Sequence, residues 1–150
     1  MIKIDRVGLE KLDDLVEIDK NNFDDSWSKE MFKKELEHEN SQYYALFNDD
    51  KIIGFLGGWY VAKEYQINKF VIDKPHQDKK LGQLFLIYVM ELYKTTKGIE
   101  KSTIEVRESN KKAIKVYTKA GFDVVGRRPD YYQNNNEDAY VMIREFCDEY

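Results

Sequence analysis

The proline at position 75 divides the sequence into two styles. Before it, Gln42 to Phe47, Ile52 to Val61 and Tyr65 to Ile72 are rich in aromatic and branched residues, and short polar segments separate them. Asn48-Asp49-Asp50-Lys51 has the length and composition of a hairpin turn, and Lys63-Glu64 divides the second stretch from the third. These features predict an antiparallel meander. Its last strand must stop at Asp73-Lys74-Pro75, because proline has no N–H to donate to a ladder. Beyond that point, Leu81 to Lys97 reads as a long helix ending at Gly98, Ser102 to Val106 as a short strand, and Ser109-Asn110 as the start of a helix that Gly121 closes. A strand-helix-strand crossover joins parallel strands, so Tyr65 to Ile72 and Ser102 to Val106 are expected to lie parallel and close together.

The two ends complete the pattern. Met1 to Arg6 alternates Ile2 and Ile4 with charged residues, and Leu9, Leu12, Leu15 and Val16 recur at helical spacing. Ser28 is a plausible N-cap for a second helix, with Met31, Phe32 and Leu36 on its apolar side. Asp123 to Arg128 and Ala139 to Phe146 read as final strands on either side of the polar stretch Pro129 to Asp138. The expected fold class is therefore α/β with a mixed sheet covered by helices, in the order β-α-α-β-β-β-α-β-α-β-β. A chain of 150 residues is expected to form one domain over residues 1–150, burying roughly 70% of its unfolded surface.

Composition narrows the function classes. The net charge of -4 is spread through mixed-sign stretches such as Lys29 to Glu39, without the basic cluster of a nucleic-acid binder. Met1 to Asp14 lacks the apolar run of a signal peptide, and no stretch approaches the ~20 apolar residues that cross a bilayer. A cytoplasmic location is the default expectation. The lone cysteine, Cys147, has no internal partner, and neither His38 nor His76 has a recognisable triad or metal partner. Nucleophilic and metal mechanisms gain no support from such a pattern.

His76-Gln77-Asp78-Lys79-Lys80-Leu81-Gly82 runs from a strand into a helix, where free N–H groups and the positive end of the helix dipole suit an anion. Read alone, the segment is either a phosphate site or a plain connection with solvated lysines. It resembles the signature of the GNAT superfamily of N-acetyltransferases: Gln or Arg, two variable residues, Gly, one variable residue, then Gly or Ala. Gln77 and Gly82 match the ends, but Lys80 stands where the family has its first glycine, which removes easy access to positive φ. The resemblance implies acetyl-CoA as cosubstrate. Phe70, Val71 and Ile72 would then pair with the pantetheine arm as an added strand. The turn from Gln77 through Asp78, Lys79, Lys80, Leu81, Gly82 and Gln83 would hold the pyrophosphate, and an N–H near Val71 would stabilise the oxyanion.

Ile104-Glu105-Val106-Arg107-Glu108-Ser109-Asn110 is a second informative string. Glu105 lies on the opposite sheet face from Ile104 and Val106, facing either solvent or a polar cavity. Ala113, Ile114, Tyr117 and Ala120 share a helical face, so Tyr117 also reads as a core aromatic. The string, continued to Gly121-Phe122 and to Tyr131-Tyr132 and Glu137-Asp138-Ala139, is similar to the bacterial ribosomal-protein-alanine N-acetyltransferases. That resemblance implies Glu105 as proton acceptor, Tyr117 as proton donor and Asn110 as a contact to acetyl-CoA. A protonated amine, with a pKa of about 8 at a chain terminus or about 10.4 on lysine, needs such a base before it can attack a thioester.

The acceptor would lie near Asn22-Phe23-Asp24-Asp25-Ser26-Trp27-Ser28, which resembles the Phe-Pro-Trp-Ser lead-in of the same enzymes with the proline replaced and residues added. Phe23 and Trp27 read equally as helix-packing residues, and Tyr131 and Tyr132 carry the same ambiguity. A peptide or protein N-terminal α-amine, such as that of a ribosomal protein, is the leading acceptor. Lysine, polyamines and other small amines are alternatives, as is a non-catalytic CoA-binding module. Oligomeric state is left open by the sequence.

Overall fold

The computed structural model describes residues 1–146, so Cys147 lies outside the described residues. Its elements are β1 (Ile2–Val7), α1 (Leu12–Asn22), α2 (Lys29–Glu37), β2 (Ser41–Asn48), β3 (Lys51–Val61), β4 (Glu64–Ile72), α3 (Leu81–Lys97), β5 (Lys101–Arg107), α4 (Lys111–Lys119), β6 (Asp123–Tyr132) and β7 (Glu137–Glu145). Short 3₁₀ turns precede α1 and follow β4. The expected mixed α/β order is present. All the strands join one sheet in the order β1-β2-β3-β4-β5-β7-β6, in which β4 and β5 are the parallel pair.

Each helix packs its apolar stripe on one face of that sheet. Leu15 and Ile18 of α1 and Phe32 of α2 cover Tyr43, Phe55 and Val71. Leu86, Val89, Met90 and Tyr93 of α3 and Tyr117 of α4 cover Ile67, Ile104, Val106 and Met142. Ser28 caps α2 by accepting the Met31 N–H at 3.2 Å. Gly98 ends α3 at φ 58, a left-handed conformation that costs glycine nothing.

The structure departs from the sequence reading at two places. Met31, expected on the apolar side of α2, is 51% exposed, because Phe32 and Leu36 take the inward positions. The polar stretch Pro129 to Asp138 is not all loop, since β6 continues to Tyr132. A break in register between Arg128 and Tyr132 absorbs the extra residues, with Asp130 at φ 52 and its N–H donating to Asp138 Oδ1. A bulge restores the ladder beyond a segment too polar to read as strand.

A second bulge lies in β4. Gly57 pairs with Lys69 and Gly58 with Ile67, which leaves Asn68 unopposed. The Asn68 side chain is held between Tyr43, whose hydroxyl donates to its Oδ1 at 2.8 Å, and Glu35, which accepts from its Nδ2 at 2.7 Å. Opposite the bulge, a side chain has no room: a Cβ on Gly58 would lie 2.1 Å from the Gln66 carbonyl oxygen. β4 bends there, and its pairing with β5 runs from Glu64–Lys101 only as far as Ile67–Ile104. Gly58→Ala is expected to lower stability by about 1–3 kcal/mol, read as a lower urea midpoint with an unchanged slope.

Candidate active site

Past Ile67 and Ile104 the two parallel strands part, and the fork opens into a cleft of about 960 Å³ bounded by β4, β5, the turn into α3, α4 and the loops after α1 and β6. That volume suits a ligand of cofactor size. On the β4 side, among the described residues, no strand pairs with Asn68 to Ile72 across the fork. The Asp73 N–H donates to the Ile53 carbonyl at 2.8 Å. The alternation of an antiparallel ladder therefore turns the Val71 N–H toward Phe55 and leaves those of Phe70 and Ile72 on the open edge. The free N–H nearest the fork is thus that of Phe70, beside Val71, rather than that of Val71 itself. The side chain of Gln77 donates to the Ile72 carbonyl at 2.7 Å and so fastens the next turn to the end of β4.

The turn from Asp78 to Gln83 presents main-chain N–H groups without protein acceptors among the described residues. The first helical bond of α3 is donated by Leu84 to the Lys80 carbonyl at 3.1 Å. Such a run of N–H groups at a helix start fits the phosphates of acetyl-CoA, as the open edge of β4 fits its pantetheine arm. Lys80 occupies φ 62, ψ 13, and Asp78 also lies in the left-handed region at φ 64. The loop therefore keeps the conformation that a glycine would allow, with a lysine holding it. Lys80, Leu81, Gly82 and Gln83 line the cleft, whereas the Lys79 side chain does not. Lys112 reaches into the same region and pairs with Asp78 at 3.0 Å.

Glu105 is the first β5 residue beyond the last β4 pair. The structure resolves its alternatives in favour of the cleft. Its Oε1 lies 3.4 Å from Arg128 Nε, while Oε2 is buried without a hydrogen-bond partner among the described residues. Tyr117 enters the same cleft from α4 and packs against Phe70 with ring centroids 5.8 Å apart. It is both core aromatic and cleft residue. Burial, reinforced by Tyr132, pushes its hydroxyl well above the usual phenol range, so it stays protonated throughout the neutral range. Asn110 caps α4, accepting the Ala113 N–H on Oδ1 at 3.1 Å, and lines the cleft; its Nδ2 is the end left for a ligand.

Sequence reasoning missed several side chains that this fork assembles. Lys69, one residue past the bulge, pairs at 2.9 Å with the fully buried Asp19. It also lies under Phe23 and Trp27, 4.9 and 4.5 Å from their ring centroids. Phe23 and Trp27 thus pack the loop after α1, and Phe23 also lines the cleft. Arg107 contacts Asp25 and Glu137. It stands two residues from Glu105 in the sequence, but its partners are remote. Among the described residues no His, Cys, Asp or Glu group is arranged to hold a metal ion, and no helix is long and apolar enough to cross a membrane.

An unpaired strand edge, a helix-start turn, the half-buried Glu105 carboxylate and the buried Tyr117 phenol thus meet in one cleft. Residues 12–122 match the model of the acetyltransferase (GNAT) family. The chain belongs to that family and transfers an acetyl group from acetyl-CoA to an amine. It is 33% identical over 135 residues, 89% of each chain, to a Bacillus subtilis (strain 168) protein provisionally named a [ribosomal protein bS18]-alanine N-acetyltransferase. It is 30% identical over 129 residues to the N-alpha-acetyltransferase RimI of Mycobacterium tuberculosis (strain ATCC 25618 / H37Rv), covering 83% of this chain and 79% of the relative. The fold matches the crystal structure of the ribosomal-protein-S18-alanine N-acetyltransferase from Escherichia coli with a TM-score of 0.92 at 24% identity, over 100% of this chain and 97% of that one.

Two outcomes are expected. Lys80→Gly relieves a left-handed conformation worth up to about 1 kcal/mol net and should raise the melting temperature by roughly 2–4 °C. The Glu137 carboxylate accepts from the Ser109 side chain and N–H and is held down at about 2, with Asn135 and Arg107 contributing. A depressed acid stabilises the fold above its unfolded value, so the stability gap between wild type and Glu137→Gln should be full above pH ~4.3 and close as pH falls through ~2. Denaturation midpoints measured across that window test it.

Proposed function

We propose that this chain acetylates the α-amine at a protein or peptide N-terminus, with a ribosomal protein that begins with alanine as the leading acceptor, and that it does so in the cytoplasm. Glu105 is the base and Tyr117 the acid. The observation that carries the reading is Glu105 Oε2, a buried carboxylate oxygen without a partner at the fork. Buried polar atoms in native proteins are paired, so this enclosed oxygen, without a partner among the described residues, is suited to accept from an amine or a water that reaches it. The names of the relatives from B. subtilis and M. tuberculosis support the α-amine as acceptor.

In this mechanism Phe70 and Ile72 hold the pantetheine arm along β4, and the N–H groups of Asp78 to Gln83 together with Lys80 hold the phosphates. Asn110 adds a side-chain contact. Acetyl-CoA supplies a thioester carbonyl carbon. Glu105 takes one proton from the ammonium, directly or through water, and so frees the nitrogen lone pair for that carbon. The Phe70 N–H faces the carbonyl oxygen as charge builds on it. As the carbon–sulfur bond breaks, Tyr117 donates its hydroxyl proton to the departing sulfur, and the second proton lost by the nitrogen returns to the Tyr117 oxygen, leaving a neutral amide, a free thiol and one proton on Glu105. The cleft holds both partners at once, so no acyl-enzyme is needed.

Mass spectrometry after incubation with acetyl-CoA, alanine-initiated peptides, blocked-terminus lysine peptides and polyamines tests the acceptor. Acetylation confined to free peptide N-termini is expected, and transfer only to lysine or polyamine would overturn the assignment. Glu105→Gln should lower kcat/KM by about 10²–10⁴, with acetyl-CoA still raising the melting temperature. Tyr117→Phe should lower kcat with little change in acetyl-CoA affinity.

A further inference from the structure

The loop between α1 and α2 crosses the mouth of the fork and is fastened to both of its arms. On the β4 arm, the Asp19 carboxylate accepts the Trp27 N–H on Oδ2 at 2.8 Å and pairs through Oδ1 with Lys69 at 2.9 Å. On the β5 arm, Asp25 Oδ2 meets Arg107 Nη2 at 3.0 Å. Among the described residues, that ion pair alone joins this loop to β5. The same guanidinium grips the turn between β6 and β7: Nη2 donates to Asn134 Oδ1 at 2.8 Å, and Nη1 to Asn135 Oδ1 at 3.0 Å and Glu137 Oε1 at 3.3 Å. Its plane lies over the Tyr132 ring, 3.9 Å from the centroid.

Resting on the proposed α-amine acceptor, we infer that Arg107 is a positioning residue for that substrate: it draws the α1–α2 loop and the β6–β7 turn onto the strand of Glu105 and fixes the width of the entrance between them. Arginine suits this task where lysine does not. Its planar fork gives separate N–H groups to the two loops at once and a flat face to Tyr132. The chemistry-bearing oxygen of Glu105 lies two residues back on the same strand face. Loosening either loop therefore changes how long an acceptor stays near Glu105, without touching the phosphate turn on the other side of the cleft.

The test uses the full chain, acetyl-CoA and an alanine-initiated peptide. Arg107→Ala and Asp25→Asn should each raise the peptide KM by roughly tenfold, with the acetyl-CoA dissociation constant within about twofold of wild type. The double variant should be no worse than Arg107→Ala, since both remove one link. Arg107→Lys should fail to restore KM, because it cannot bridge both loops. Peptide KM within about twofold of wild type in both single variants, or effects that multiply in the double variant, would overturn the inference. Should Arg107→Ala not fold, Asp25→Asn alone decides, because Asp25 is half-exposed and no part of the core.

Hydrogen exchange with acetyl-CoA bound separates this inference from the acceptor assignment. Asp25→Asn should speed exchange in residues 23–28, and Arg107→Ala should speed it in 23–28 and in 131–137 together. If wild type modifies no peptide, the acceptor assignment has failed, and unchanged exchange in 131–137 would then sink the clamp on its own terms.

Discussion

A parallel strand pair that stops pairing partway along leaves main-chain donors and acceptors in the middle of a sheet, where they would ordinarily be costly. In this protein the separation follows from one unopposed residue, Asn68, and from the glycines that let β3 lie against it. The exposed edge beyond it is the surface on which a second chain of amides can lie. Glu105 sits at the apex of the fork because its neighbour Ile104 is the last β5 residue with a β4 partner. The bend in one strand thus exposes the unpaired edge and the carboxylate together.

The charges that line the cleft are paired locally rather than sorted by sign. Lys112 meets Asp78 beside the turn into α3, Arg107 meets Asp25 and Glu137 at the mouth of the fork, and Arg128 meets Glu105 at its apex. A chain of mixed-sign segments with a small negative total supplies such pairs without a large field of one sign.

Much of this was legible in the sequence. Element order and the parallel crossover followed from turn residues and periodicity, and Ser28, Gly98 and Gly121 marked helix ends by chemistry that requires no tertiary context. Glu105 and Tyr117 stood out through the strings around them, but whether each faced a cleft depended on the bend at Asn68, for which a lone asparagine in a strand gives no signal. The extension of β6 was hidden because a bulge lets polar residues occupy a strand. Lys69 and Arg107 were illegible for another reason: their partners Asp19, Asp25 and Glu137 are distant in sequence, and a charge on a strand reads as solvated until its neighbours are known.

Glu35 gives the bulge a second significance. One of its oxygens accepts from both Asn68 Nδ2 and Trp59 Nε1, so α2, which follows the loop at one side of the cleft, is tied to the bend that opens the fork at the other. The two sides share a mechanical element through this carboxylate. Any coupling between ligands that passes through it is equal in both directions.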